Sequence, residues 1–478
     1  MTPSINLFPD QDEVRGKLRV ALRSSTSVLV YAPTGFGKTV LAAALIWSLF
    51  KNGKRVIFCV HRVDLITQTA KTFEKFGIPF SYIASGYHYN PYHRVYIASI
   101  STLKNRLGKI PADYVMVDEA HLSMATGWAL VAQHYKEAGA RLIGLTGSPE
   151  RHDGRPLGDV WDTMVLGPAL RWLIDNGRLQ KYRAFSPAGL DLAGVRIRKG
   201  EYVESDLDDL MSGKAVVANA VHHWRKRASG MRTIGFTPSI LRAEQYAAEF
   251  RAAGIMAVAL DGETPQPDRR AAFLAFADRQ IDVIFNCALF CEGFDLSAQV
   301  DRNVTVECVL DCGPTQSLAK HLQKHGRGLR ADGTDVPHVL LDMVGGFRKQ
   351  GLGLPDDDRE WSLEGRKNKD REVENMTCSE CFATHAPARE CPDCHHKYPV
   401  KERATVSAGR VLDEVHVELE EIDVEAQRRQ FNEDLEKART VQELLAVATS
   451  QNFKSPEKWA AQVWTQRQAD AALKRYAQ

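Results

Sequence analysis

Two blocks of the chain share one rhythm, in which short apolar runs rich in β-branched residues alternate with longer stretches of helical composition. In the first block the runs are Val28–Tyr31, Arg55–Val60, Val95–Ser99, Tyr114–Val117 and Leu142–Leu145. Apolar runs this short, without polar alternation, predict strands buried on both faces, as in a parallel sheet covered by helices. The second block repeats the rhythm, with strands expected at Thr233–Phe236, Ala257–Leu260, Val283–Phe285, Val304–Leu310 and His338–Leu341. Helices are expected between them at Ile240–Ala253 and Asp268–Phe276. No sequence repeat links the blocks. The expected fold class is α/β: two lobes with parallel sheets facing each other across a cleft. A mixed, polar segment from about Gly167 to Ala215 would connect them.

After Gly351 the pattern changes. Leu354-Pro355-Asp356-Asp357-Asp358 opens what reads as a charged linker to about Asn375, and a cysteine cluster follows. Asp413–Glu425 carries seven carboxylates and no Lys or Arg. From there to Gln478 the apolar positions Leu435, Leu444, Leu445, Trp459, Val463, Trp464 and Leu473 have helical spacing. The expected units are lobe one at 1–180, linker and lobe two at 181–355, a cysteine module at 376–400 and a helical appendage at 410–478. A chain of 478 residues is too long for one core, which agrees with this division. A net charge of +2 gives no global pull toward polyanions, so any basic surface must be local. No apolar run approaches the length of a membrane span, and Met1–Asn6 lacks the layout of a signal peptide. Cys59, Cys287, Cys291, Cys308 and Cys312 are scattered in apolar contexts and read as buried free thiols, so a reducing cytoplasm is expected.

The chemistry gathers at strand ends. Ala32-Pro33-Thr34-Gly35-Phe36-Gly37-Lys38-Thr39 lies between the first strand and a helix. Gly35 and Gly37 let backbone N–H groups approach an anion, and the helix N-terminus favours negative charge there. Lys38 would reach the β- and γ-phosphates, and the Thr39 hydroxyl would hold Mg²⁺. Ala32 stands where the usual pattern begins with glycine. Val115-Met116-Val117 ends in Asp118-Glu119-Ala120-His121, where Asp118 can hold Mg²⁺ and Glu119 can deprotonate an attacking water. Gln323-Lys324-His325-Gly326-Arg327-Gly328-Leu329-Arg330 places Arg327 and Arg330 three apart, on one helix face, as candidate arginine fingers. Its plainer reading is a solvated basic helix end. Cys378-x-x-Cys381 and Cys391-Pro-Asp-Cys394 bring four thiolates to one tetrahedral zinc ion; an iron–sulfur cluster fits the short paired knuckles less well.

Taken in order, Gly35 to Thr39, Asp118 to His121, Thr146-Gly147-Ser148-Pro149 and Gln323 to Arg330 resemble the DEAH-box branch of superfamily 2 helicases. Leu7-Phe8-Pro9-Asp10-Gln11 resembles the upstream element whose glutamine recognises adenine. His61-Arg62 and Ser101-Thr102-Leu103 resemble strand-contacting elements of the first lobe. Gly235-Phe236-Thr237 and Glu292-Gly293-Phe294-Asp295 resemble those of the second. Within the branch the chain is similar to bacterial and phage RadD-like helicases, over about residues 5–400, and these share a cysteine module after lobe two. Thr146-Gly147-Ser148-Pro149 departs from the Thr-Ala-Thr-Pro of many relatives.

The resemblance implies RecA-like lobes and an ATP-dependent DNA helicase or translocase serving repair, recombination or replication in a bacterial cell or phage-infected host. It implies ATP bound by Gln11, Thr34, Gly35, Gly37, Lys38, Thr39, Asp118, Gly293 and Asp295. Catalysis would fall to Lys38, Asp118, Glu119, Gln323, Arg327 and Arg330, with Mg²⁺ on Thr39 and Asp118. Arg62, Thr102 and Thr237 would contact the nucleic-acid backbone, and zinc would sit on Cys378, Cys381, Cys391 and Cys394. DNA rather than RNA is the expected polymer. An RNA helicase, or a motor that remodels nucleoprotein without strand separation, is the alternative. A protein partner would dock on the appendage, and no membrane is expected.

Overall fold

The computed structural model describes residues 5–61, 63–122, 126–151, 155–187, 195–198, 201–203, 205–207, 214–287, 289–290, 296–349, 352–364, 376–377, 384–385, 419–451, 453 and 455–476. Arg62, Gly293, Asp295, Cys378, Cys381, Cys391 and Cys394 lie outside them.

Lobe one has strands β1 (Ser27–Tyr31), β2 (Val56–Val60), β3 (Ser81–Ile83), β4 (Val95–Ser99), β5 (Tyr114–Val117), β6 (Arg141–Thr146) and β7 (Thr163–Leu166). They pair parallel in the order β3-β4-β2-β5-β6-β1-β7. β1, β2 and β4 are buried along their whole length, because helices leave neither face to water. The helices are α1 (Pro9–Ser24), α2 (Lys38–Lys51), α3 (Val63–Lys75), α4 (Ile100–Lys104), α5 (Thr126–Glu137) and α6 (Leu170–Asp175). β3 and β7 fall outside the expected strands. One has only three residues, and the other, at the sheet edge, mixes buried and exposed positions.

Lobe two begins inside the segment expected as a connection. β8 (Tyr182–Pro187) precedes a short ribbon, β9 (Ile197–Arg198) with β10 (Glu201–Tyr202). Then come α7 (Lys214–Ala228), β11 (Thr233–Phe236), α8 (Ile240–Ala252), β12 (Ala257–Ala259), α9 (Gln266–Ala277) and β13 (Val283–Asn286). α10 (Leu296–Val300), β14 (Cys308–Asp311), α11 (Leu318–Gly326) and β15 (His338–Asp342) follow. A second ribbon pairs β16 (Met376–Thr377) with β17 (Thr384–His385). β18 (Leu419–Ile422), from the acidic stretch, closes the sheet, whose order is β12-β13-β11-β14-β15-β8-β18. Pairing is parallel except at β18. Counted along the chain within each lobe, the two sheet orders are the same: β8 takes the place of β1, and β18 that of β7. The fold therefore repeats where the sequence shows no repeat.

Residues 354–364 are not the solvated start of a linker. Asp356 is 3% exposed, accepts the Tyr182 hydroxyl and pairs with Arg428. Trp361 packs on Tyr31 with ring centroids 5.2 Å apart, and Leu363 O accepts from Leu157 N and Gly158 N at 2.8 and 2.9 Å. This strap runs from lobe two back onto lobe one. α12 (Val424–Lys437), α13 (Val441–Ser450) and α14 (Pro456–Tyr476) form the helical appendage, with Phe431, Leu444, Val447 and Trp459 in its core. No helix among the described residues is long and apolar enough to cross a membrane.

Candidate active site

β1 runs into the glycine loop, and α2 begins at Lys38. Gly35 and Gly37 have φ of 83° and 91°, the left-handed region that penalises any Cβ. Space is equally strict. A Cβ on Gly37 would sit 2.6 Å from the Gln11 amide nitrogen, and one on Gly35 would collide with Leu179. Gln11 ties α1 to this loop: its Oε1 accepts from Phe8 N at 3.0 Å, and its Nε2 donates to Phe36 O at 2.7 Å. Arg178 donates to the same carbonyl at 3.3 Å, pairs with Asp10 and lies 3.5 Å from the Phe8 ring centroid. Arg178 is a component that sequence reasoning missed, since one arginine in a polar segment carries no signal.

Lys38 Nζ lies 3.4 Å from Ala32 O, and a Cβ on Gly147 would stand 3.1 Å from that nitrogen. Glycine in Thr146-Gly147-Ser148-Pro149 thus leaves the ammonium room that alanine would crowd. Asp118 stands at the end of β5, where burial and the adjacent Glu119 push its carboxyl up to about 6 while Lys38 pulls it down. Glu119 is buried, with a left-handed φ of 48° that is rare outside glycine. Its Oε2 makes no hydrogen bond among the described residues and lies 3.5 Å from His121 Nδ1. His121 Nδ1 is 3.0 Å from Thr146 Oγ1, whose own proton goes to Ser148 O at 3.0 Å. Nδ1 is therefore the donor, and His121 ties the turn after β5 to the end of β6. A glycine cradle, Lys38, the Thr39 hydroxyl, paired carboxyls short of positive charge and an orphaned Glu119 oxygen together fit a magnesium–nucleotide complex.

From lobe two, α11 meets the loop end-on. Ser317 caps it, and a Cβ on Gly326 would sit 2.7 Å from Thr34 Cγ2. The shared helix face expected for Arg327 and Arg330 is corrected here. α11 ends at Gly326, Arg327 opens a 3₁₀ turn and Arg330 is extended, with φ −68° and ψ 129°. Gly326 and Gly328 weaken the helix. Leu179 and Gln180 then pair with Arg330 and Leu329, the Gln180 N–H donating to Leu329 O at 2.8 Å, and pull the chain straight. Arg327 Nε donates to Phe290 O at 2.8 Å. Gln323 is 6% exposed, and its Nε2 has no partner among the described residues.

The residues expected to contact a strand are less alike. Thr102 lies in the first turn of α4, hydrogen-bonded to its cap Ser99. Thr237 is buried, and its hydroxyl donates inward to Ser239 O at 2.9 Å, so the side chain is not presented to a polymer in this conformation. Of the scattered cysteines, Cys59, Cys308 and Cys312 are buried free thiols, with burial raising each thiol pKa.

Two family models match the chain: "Type III restriction enzyme, res subunit" over residues 4–151 and "Helicase conserved C-terminal domain" over residues 214–332. A 51.5 kDa protein of a Lactococcus phage is 30% identical over 382 residues, 78% of this chain and 79% of the phage protein. The putative ATP-dependent helicase IRC3 of Saccharomyces cerevisiae is 26% identical over 394 residues, 78% of this chain and 55% of the yeast protein. The solved structure of the ATP-dependent Type ISP restriction-modification enzyme LlaBIII bound to DNA is similar in fold. It has a TM-score of 0.52 and 16% identity, over 72% of this chain and 28% of that one. Fold and site together define an ATP-hydrolysing enzyme of two facing α/β lobes. The chain belongs to the superfamily 2 helicases, a family of ATP-dependent nucleic-acid motors.

Proposed function

We propose that the protein is an ATP-dependent DNA helicase or translocase of the DEAH branch, RadD-like, acting in repair, recombination or replication. The observation that carries this reading is the seating of Gly326, which lies in the segment that holds Gln323, Arg327 and Arg330, against Thr34 of the other lobe's phosphate loop. In this reading ATP lies between the lobes. Lys38, Arg327 and Arg330 stabilise charge on the transferring phosphoryl group, and Glu119 takes the proton of the attacking water. Asp118 and Thr39 would hold Mg²⁺, which would neutralise charge on the phosphates. Gln323 offers its side-chain amide to the γ-phosphate or the water. Gln11, with Phe8 and Arg178 behind it, faces the adenine side. Gly293 and Asp295 complete the nucleotide pocket, and Arg62, Thr102 and the backbone around Thr237 track the phosphates of one strand with little sequence preference. Cys378, Cys381, Cys391 and Cys394 close a structural zinc site at 376–400, between lobe two (181–355) and the appendage (410–478). The test is the ATPase rate without polymer and with single-stranded DNA, duplex, forked DNA and RNA, side by side. Stimulation by single-stranded or forked DNA above RNA is expected, and a rate indifferent to all four polymers overturns the motor.

A further inference from the structure

Lys324 belongs to a run that reads as a solvated basic helix end, yet it is 5% exposed. Its Nζ donates to Asp311 Oδ1 at 3.0 Å and to Gly313 O. Asp311, at the end of β14, is 1% exposed; it also accepts from Gly313 N at 3.0 Å and has Oδ2 3.5 Å from His325 Nε2. Burial works against this carboxylate, but Lys324 and His325 hold it well below the usual range. Gly313 in turn lies against the end of β11: a Cβ there would stand 3.1 Å from the Thr237 carbonyl carbon and 3.4 Å from Lys324 Nζ. One buried ammonium thus ties α11 to the end of β14, and Gly313 packs that junction against the end of β11.

A buried ion pair is a poor way to add stability, since apolar residues of similar volume often do as well. What it does supply is direction. Asp311 is fixed by the β14 backbone, so the reach of Lys324 sets the rotation of α11 about its axis. Gln323, adjacent to Lys324, shares that rotation, and Arg327 follows it at the start of the 3₁₀ turn that leaves the helix after Gly326. We propose that Lys324 and Asp311 are positioning residues, a buried clamp that orients Gln323 and Arg327 for ATP hydrolysis without touching the nucleotide. The proposal rests on the assignment of Gln323 and Arg327 to the hydrolytic site.

The experiment compares wild type, Lys324→Met, Asp311→Asn, the Lys324→Met/Asp311→Asn double variant and Arg327→Ala in the full chain. For each, kcat, KM for ATP and denaturant stability are measured. Lys324→Met strands a buried carboxylate and loses stability; the double variant removes that charge and recovers part of it. A positioning role predicts kcat lower by about tenfold to a hundredfold in both single variants, with KM within about threefold. It predicts the same low kcat in the double variant despite the recovered stability. Recovery of kcat together with stability, or wild-type kcat in Lys324→Met, overturns the proposal. If Lys324→Met does not fold, the double variant carries the test. Wild-type kcat in Arg327→Ala overturns the arginine assignment instead, so the two failures are told apart.

Discussion

Glu119 is held with φ 48° beside a carboxyl that burial and Glu119 itself push up to about 6. Backbone strain of this kind, about 1–3 kcal/mol, persists only where the surroundings enforce it, and it gathers at functional sites. The raised Asp118 value has a consequence for stability. Its ordinary value is 3.8, so as pH rises toward about 6 the folded chain keeps a proton that the unfolded chain has released. Ionising Asp118 therefore costs folding stability as pH climbs through that window, and the whole cost is present above it. Asp118→Asn removes the cost. Denaturant unfolding without nucleotide or Mg²⁺ should show the variant gaining on wild type above about pH 6, with the gain fading toward pH 4. A gain that does not change with pH contradicts the assignment. Asp118 and Glu119 were legible as a pair at a strand end; the left-handed turn at Glu119 was not, because a glutamate gives no sign in the sequence of a φ of 48°.

Between elements, the strap of residues 354–364 and the appendage reach further into the motor than the sequence suggests. A cavity of about 220 Å³ beside Thr34 and Gly147 is also lined by Trp361 from the strap and Gln462 from α14. Arg428 on α12 pairs with the buried Asp356, which the Tyr182 hydroxyl also reaches, while Arg171 stands 3.9 Å away. Arg428→Met would leave that carboxylate short of its main partner and should cost about 3–5 kcal/mol in denaturant unfolding. A change under about 1 kcal/mol means that the appendage is not clamped through this pair. The run Pro355 to Asp358 read as a linker because three adjacent carboxylates are normally solvated, and the partners of Asp356 and Asp358, among them Tyr182, Arg428 and Trp459, lie far away in sequence. The inner strands were legible for the opposite reason: β1, β2, β5 and β14 are apolar runs whose burial is local information. β8 and β18 were missed because they join lobe two from outside its block, a placement that only the closed sheet reveals. Arg327 and Arg330 were expected on one helix face, and the turn that separates them depends on Leu179 and Gln180, which lie far away in sequence.

Across the whole molecule, the proposed zinc and ATP sites are expected to act separately. Elemental analysis should find about one zinc per chain, lost in Cys381→Ser, while basal ATPase survives, because the ATP-site residues described here belong to the two lobes. Loss of basal ATPase with the metal would mean that the module is packed into the motor. In the proposed arrangement one ATP site is built from both lobes, with the phosphate loop and Asp118-Glu119 on one side and the arginine segment on the other. It is tested most directly by measuring ATP affinity and single-turnover hydrolysis for Arg330→Ala and Arg327→Ala in the full chain, with Glu119→Gln as the reference for lost chemistry. Arginines whose contribution grows in the transition state predict hydrolysis slowed about a hundredfold or more, with ATP affinity changed only a few-fold. Wild-type hydrolysis in both arginine variants, alongside an inactive Glu119→Gln, would place the whole of catalysis in lobe one and contradict the account.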